Sequence, residues 1–153
     1  MQGKVEYSKL KKKYKKLPEW EWLSKNFKVK IEDEGPLLDQ VRASVVEKLD
    51  LMAHSIIEPI IGGGENYCCY YERGMLTPQE KEKMFDIYKK LQSFLWKSNA
   101  IAVDFDEKET ADWLANVKKM FEDTGPELVK LCEKLSEGWN TYKKKEVETA
   151  YHG

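Results

Sequence analysis

The chain has 153 residues, 35% of them charged and 41% hydrophobic. That length suits a single domain with a real core, and that balance excludes both a disordered tail and a membrane protein. The net charge of −1 conceals a split: ten lysines against three glutamates make residues 1–30 +7, while sixteen Lys/Arg against twenty-four Asp/Glu make residues 31–153 −8.

Val5 to Leu17 reads as a lysine-rich helix, with Tyr7, Leu10, Tyr14 and Leu17 at helical spacing. Pro18 stops it and can start the next helix, predicted over residues 18–27 from Trp20, Leu23 and Phe27. Lys28–Glu32 alternates weakly and reads as extended. Asp33-Glu34-Gly35-Pro36 is a turn that opens a strongly amphipathic helix, residues 36–61. Its stripe is Leu38, Val41, Val45, Leu49, Met52, Ile56 and Ile60. Pro59 lies inside that pattern, which predicts an end or kink just before it.

Gly62-Gly63-Gly64 breaks the chain. Glu65–Arg73 follows as a compact aromatic segment, read as a two-turn helix ended by Gly74. Thr77-Pro78-Gln79-Glu80 is a capping-box pattern. It opens a helix that carries Met84, Ile87, Leu91, Phe94 and Leu95 and runs on to Ala100–Val103. Asp104–Glu109 is an acidic start to the next helix, with Trp113, Leu114, Val117, Met120 and Phe121 as its stripe. Thr124-Gly125-Pro126-Glu127 reads as another turn and cap, followed by a last helix on Leu128, Leu131, Cys132, Leu135 and Trp139. The tail Thr141–Gly153 is expected to fray. The expected fold is all-α: one domain over residues 1–153, with a basic helical arm (1–30) and a helical body (36–148). That body is a bundle of about four main helices.

No apolar run approaches the roughly 18 residues that a membrane-spanning helix needs. The basic N-terminus is followed by no apolar stretch of the signal-peptide kind, so the expected location is cytoplasmic. Three cysteines argue against a disulfide framework. The cations are 24 Lys against only Arg42 and Arg73, and 19 Glu stand against nine Asn and Gln together. This Lys/Glu excess resembles thermophile composition.

The arm carries the leading functional reading. Lys11, Lys12, Lys13, Lys15, Lys16 and Lys25, with Lys28 and Lys30, interleave with Tyr14, Trp20, Trp22 and Phe27. Lysines hold phosphates as point charges, and aromatics stack on exposed bases. The near-absence of Arg disfavours base-edge reading, so contact with nucleic acid is expected to be sequence-independent. The competing reading is a solvated helix face whose aromatics pack on the bundle, or an arm neutralised by the chain's own acidic body.

A second face lies on helix 36–61. Glu47, Asp50, His54 and Glu58 fall within a wedge of roughly 80°, opposite the apolar stripe. Such a set holds a divalent metal when a second helix supplies ligands, which would make a metal-dependent bundle enzyme. No Glu-x-x-His occurs, and the other histidine is His152 in the tail. The plain alternative is a solvated face with i,i+4 pairs. Asp104-x-Asp106 fails as a calcium loop, because Glu109 and Ala115 occupy the positions that need Gly and Glu. The Gly triplet lacks the Gly-Lys-Ser/Thr ending of a phosphate loop. Adjacent Cys68-Cys69 has no zinc spacing and reads as buried or interfacial. No nucleophile motif is present, so no catalytic residue, metal or cofactor is assigned. Leu51, Trp22, Trp96, Tyr70 and Tyr71 fit no stripe and suggest a contact surface for self-association or a protein partner. A purely structural interaction bundle is the third reading.

Overall fold

A computed structural model describes residues 2–32, 34–62 and 66–142. Among them all regular structure is helical: α1 (Gln2–Lys13), α2 (Trp20–Asn26), α3 (Leu37–Asp50), a π-helical segment (Leu51–Ile57), α4 (Glu58–Ile61), α5 (Tyr67–Met75), α6 (Pro78–Val103) and α7 (Glu107–Asn140). The backbone stays helical from α3 through α4, so the described residues form six rods. None is long and apolar enough to cross a membrane.

Four of the starts have a local cause. Gly35 takes φ +94, which only glycine adopts freely, and turns the chain into Pro36, the N-cap of α3. Asn66 caps α5 by accepting the Cys69 N–H. Thr77 and Glu80 form the full reciprocal capping box of α6, and the Asp106 carboxylate accepts the Glu109 N–H to open α7.

Three long rods, α3–α4, α6 and α7, pack against one another, and α1, α2 and α5 close around them. Their shared core includes Val41, Val45, Leu49 and Ile57, then Met84, Leu91 and Ile101, then Leu114, Val117 and Leu128. Tyr7, Leu17, Leu23 and Phe27 add the N-terminal helices to the same core. Each fully buried aliphatic or aromatic side chain contributes roughly 1.5–3 kcal/mol. One buried charge crosses the bundle. The Arg42 guanidinium donates to Ser98 Oγ on α6 at 2.6 Å and to Asp39 Oδ1 at 2.9 and 3.1 Å.

Several expected boundaries move. The first helix ends at Lys13, not Leu17. Residues 28–32 form no strand; Lys30 N–H bonds Ser44 Oγ and Glu32 N–H bonds Gln40 Oε1 instead. α5 runs over Gly74 and ends at Met75, with the Leu76 N–H on the Arg73 carbonyl. The expected turn at Thr124–Glu127 is absent: α7 is one 34-residue helix that contains Pro126. The reason is that the apolar rows on either side are in phase. Met120, Thr124, Leu128, Leu131 and Leu135 are all buried at steps of four, four, three and four. Pro126 is exposed, so its missing N–H and the carbonyl it would have bonded lie toward water.

The helix 36–61 also differs inside. The π segment occupies the place where Pro59 predicts an end or kink, and the rod continues to Ile61. Its wider i→i+5 turns take in one extra residue. Ile57 is therefore fully buried and Ile56 only half-buried, one residue out of step with the α-periodic expectation. Most of the tail Thr141–Gly153, with the end of the 36–148 body, lies outside the described residues, as do Gly63 to Glu65 and Asp33.

Candidate nucleic-acid interface

The basic arm is docked on the body. α1 packs on α2 and α3, pinned by Tyr7, whose buried hydroxyl donates to the Pro18 carbonyl at 2.6 Å. Burial pushes this phenol well above its ordinary pKa, and nearby Glu19 acts in the same direction.

Docking divides the lysines into two groups. Lys4 pairs with Glu21 at 3.1 Å. Half-buried Lys11 donates to the Leu17 carbonyl at 2.9 Å and pairs with Glu19 at 3.1 Å. Lys13 reaches Glu107 on α7 at 3.1 Å, and Tyr14 donates to the same carboxylate at 2.8 Å. Lys12, Lys15, Lys16 and Lys25 are exposed and make no ion pair among the described residues.

These free cations border shallow hollows. Ser8, Lys11, Lys12 and Lys15 line one of about 320 Å³. Lys16 borders another of about 620 Å³ with Lys118 and Lys119 of α7, and Asp112 and Glu122 lie in the same wall. Lys25 and Lys28 meet Lys48 of α3 and Glu47 around a third, of about 420 Å³. Lys48 is held by the Asn26 carbonyl at 2.6 Å and lies over the Phe121 ring at 4.9 Å; burial lowers its pKa. Lys48, Lys118 and Lys119 were not among the expected site residues. They come from distant elements, and no local pattern links them to the arm.

Both candidate stacking rings take part in packing. Trp20 is half-buried with its ring 5.3 Å from that of Tyr7. Trp22 packs edge-on against Phe27 and Phe121, at 5.5 and 5.9 Å, with Lys118 Nζ 5.7 Å from its centroid.

The Glu107 contact gives the arm a pH dependence. The Tyr14 hydroxyl, then the Lys13 ammonium, hold this carboxyl below the usual carboxylate range. A carboxyl depressed in the folded state stabilises above its unfolded pKa, about 4.3, and that contribution is lost as pH falls through the lower folded value. The stability advantage of the wild type over Glu107→Gln is therefore expected to be present at pH 7 and to shrink in acid. Urea titrations of both proteins at pH 7 and below pH 3 check this, and an advantage that persists in acid would count against a charged contact.

The second face resolves into a histidine clamp. His54 Nδ1 bonds Glu58 Oε2, and its Nε2 lies 3.7 Å from Asp50 Oδ1. From α6 come Tyr88, 3.4 Å from Glu58, and Gln92, which donates to the Tyr88 hydroxyl at 2.7 Å. Among the described residues no group of three or more His, Cys, Asp or Glu is arranged to hold a metal ion. The adjacent cysteines divide, with Cys68 exposed and Cys69 buried, both as free thiols. Beside them Tyr71, Trp139 and Tyr142 pack together, and the Trp139 indole donates to Glu72 at 3.0 Å.

No protein-family model matches the chain, and no curated protein or solved structure shows significant similarity to it.

Proposed function

We propose that the protein is a non-enzymatic binding protein that holds the nucleic-acid backbone through a track of lysines on its N-terminal side. The observation that supports this reading is the set Lys12, Lys15, Lys16 and Lys25. These cations remain exposed and unpaired although the arm is docked, and exposed Lys119 extends the set from α7, while half-buried Lys118 beside it pairs with Glu122 at 3.8 Å. Unpaired surface cations gain by displacing counterions from phosphate. Lysine rather than arginine makes the contact a matter of charge, not of base identity. Lys11 and Lys13 belong to the docking of the arm in this reading, and Trp20 and Trp22 to its support.

The test is binding of generic duplex DNA and single-stranded RNA across a salt series, with the wild type and with Lys12, Lys15, Lys16 and Lys25 all changed to Gln. Wild-type affinity is expected to fall steeply with salt. In the variant the slope for duplex DNA should drop by about 0.9 for each phosphate that is no longer neutralised. No binding at low salt, or an unchanged slope in the variant, would overturn the proposal.

A further inference from the structure

Residues 1–30 carry five aromatic rings, Tyr7, Tyr14, Trp20, Trp22 and Phe27, and the fold engages all of them. Tyr7 and Phe27 are buried. Half-buried Tyr14 donates its hydroxyl to Glu107 and has Lys13 Nζ 5.2 Å from its ring centre. Trp20 lies against Tyr7. Trp22 meets Phe27 and Phe121 edge-on and holds Lys118 Nζ over its ring. A nucleic-acid base stacks only on an open ring face, and each stacked base is worth on the order of tenfold in affinity. The large exposed rings among the described residues are Tyr70, Phe85, Trp96 and Trp139. They belong to α5, α6 and the last turn of α7, and none of them lines the hollows bordered by Lys12, Lys15, Lys16 and Lys25. Arginine is the other side chain on which bases stack. Residues 1–30 contain none; Arg42 is buried against Ser98 and Asp39, and Arg73 stands on α5.

The backbone that carries the lysines is fixed before any ligand arrives. Lys12 stands on α1, which Tyr7 pins to the body. Lys15 and Lys16 sit in a turn closed by the Leu17 N–H on the Tyr14 carbonyl at 3.1 Å. Lys25 stands on α2 and Lys119 on α7. A duplex matches such an array, since it is stiff and carries one charge per roughly 1.7 Å of its axis. A single strand has a lower charge density and must be ordered on binding. Stacking normally offsets that ordering, and here no ring is open to supply it. Asp112 beside Lys16 and Glu47 beside Lys25 also repel a flexible strand that follows the surface into the hollows.

We infer that the lysine track takes double-stranded nucleic acid in preference to single strands, and that bases contribute nothing to binding. This rests on the reading of the track given above and names the class of ligand it takes.

Three probes of equal length test it on the full chain: a mixed-sequence DNA duplex, oligo(dT), and an abasic strand that keeps the backbone without bases. With about five phosphates neutralised, slopes of about 0.9 and 0.7 per phosphate differ by about one in total, or about tenfold in affinity between 1 M and 0.1 M salt. At 0.1 M salt the duplex should therefore bind about tenfold more tightly than oligo(dT), and oligo(dT) and the abasic strand should bind alike. A loss of about tenfold or more from oligo(dT) to the abasic strand would mean that bases stack on the protein, and it overturns the inference. So does oligo(dT) that binds as tightly as the duplex. In either case the track itself stands if changing Lys12, Lys15, Lys16 and Lys25 to Gln weakens binding of every probe. Failure of all three probes to bind removes the track and the inference together.

Discussion

Replacing Trp113 with alanine is expected to remove about 3–5 kcal/mol of stability, the range for a buried large aromatic. Trp113 sits at the junction of α6 and α7, buried, with its indole N–H on the Phe94 carbonyl at 3.0 Å and its ring edge-on to Phe94 at 6.3 Å. Truncation opens a cavity between the two longest helices and removes a donor that ties them. The Phe94 carbonyl lies inside α6, where an oxygen with two lone pairs also serves the helical ladder. Trp113→Phe should therefore cost much less, about 1–2 kcal/mol, since little polarity is stranded. Trp96→Ala, at an exposed site, should stay within about 0.5 kcal/mol. Urea denaturation of the three variants checks the order. If Trp113→Ala and Trp96→Ala cost the same, the α6–α7 seam is not where the fold is held.

The other large effect belongs to Tyr7. Tyr7→Ala is expected to cost about 3–5 kcal/mol, and Tyr7→Phe about 1–3 kcal/mol, because it leaves the Pro18 carbonyl buried without its donor. Among the described residues of α1, Tyr7 is the one fully buried side chain, and it packs on Trp20, so the alanine variant should release α1 before the rest unfolds. Amide exchange is the discriminating measurement: α1 amides should lose protection in Tyr7→Ala while α6 and α7 keep most of theirs. Protection that falls equally along the chain would mean that α1 is an integral part of one cooperative unit and not a docked arm.

The all-helical class was legible because the apolar rows of α3, α6 and α7 repeat at steps of three and four, and Thr77 with Glu80 marked the start of α6 to the residue. Two of the misplaced boundaries share a physical origin: Gly and Pro read as punctuation in a sequence, and here the chain runs through Gly74 and Pro126. Pro126 is tolerated because its exposed side loses nothing to the core, and Gly74 because α5 needs only one further residue past it. The one-residue change of phase at Ile57 comes from a π turn, and α-periodicity assumes there is none. In the site, the lysines were legible as a charge excess but not their division. Lys13 meets its carboxylate, Glu107, 94 positions away, and no local pattern carries that. The same holds for Lys118 and Lys119, which reach Lys16 only through the fold. Leu51 and Trp22 did stand out as misfits to any stripe, and both line the hollow between the π segment and α7.

The π segment also has a consequence for how the chain can change in length. Loss of one residue between Leu51 and Ile57 turns wide turns into ordinary ones and leaves α3 and Ile60 of α4 in phase with the core. The same loss within Leu37–Asp50 would swing every later side chain of that rod by about 100° and point Leu49 and Met52 off the core. Insertions and deletions in this rod are thus tolerated at one place, and that place is one wall of an apolar groove of about 1010 Å³ between the π segment and α7. Sequence drift in length there would reshape the groove while the bundle behind it kept its register.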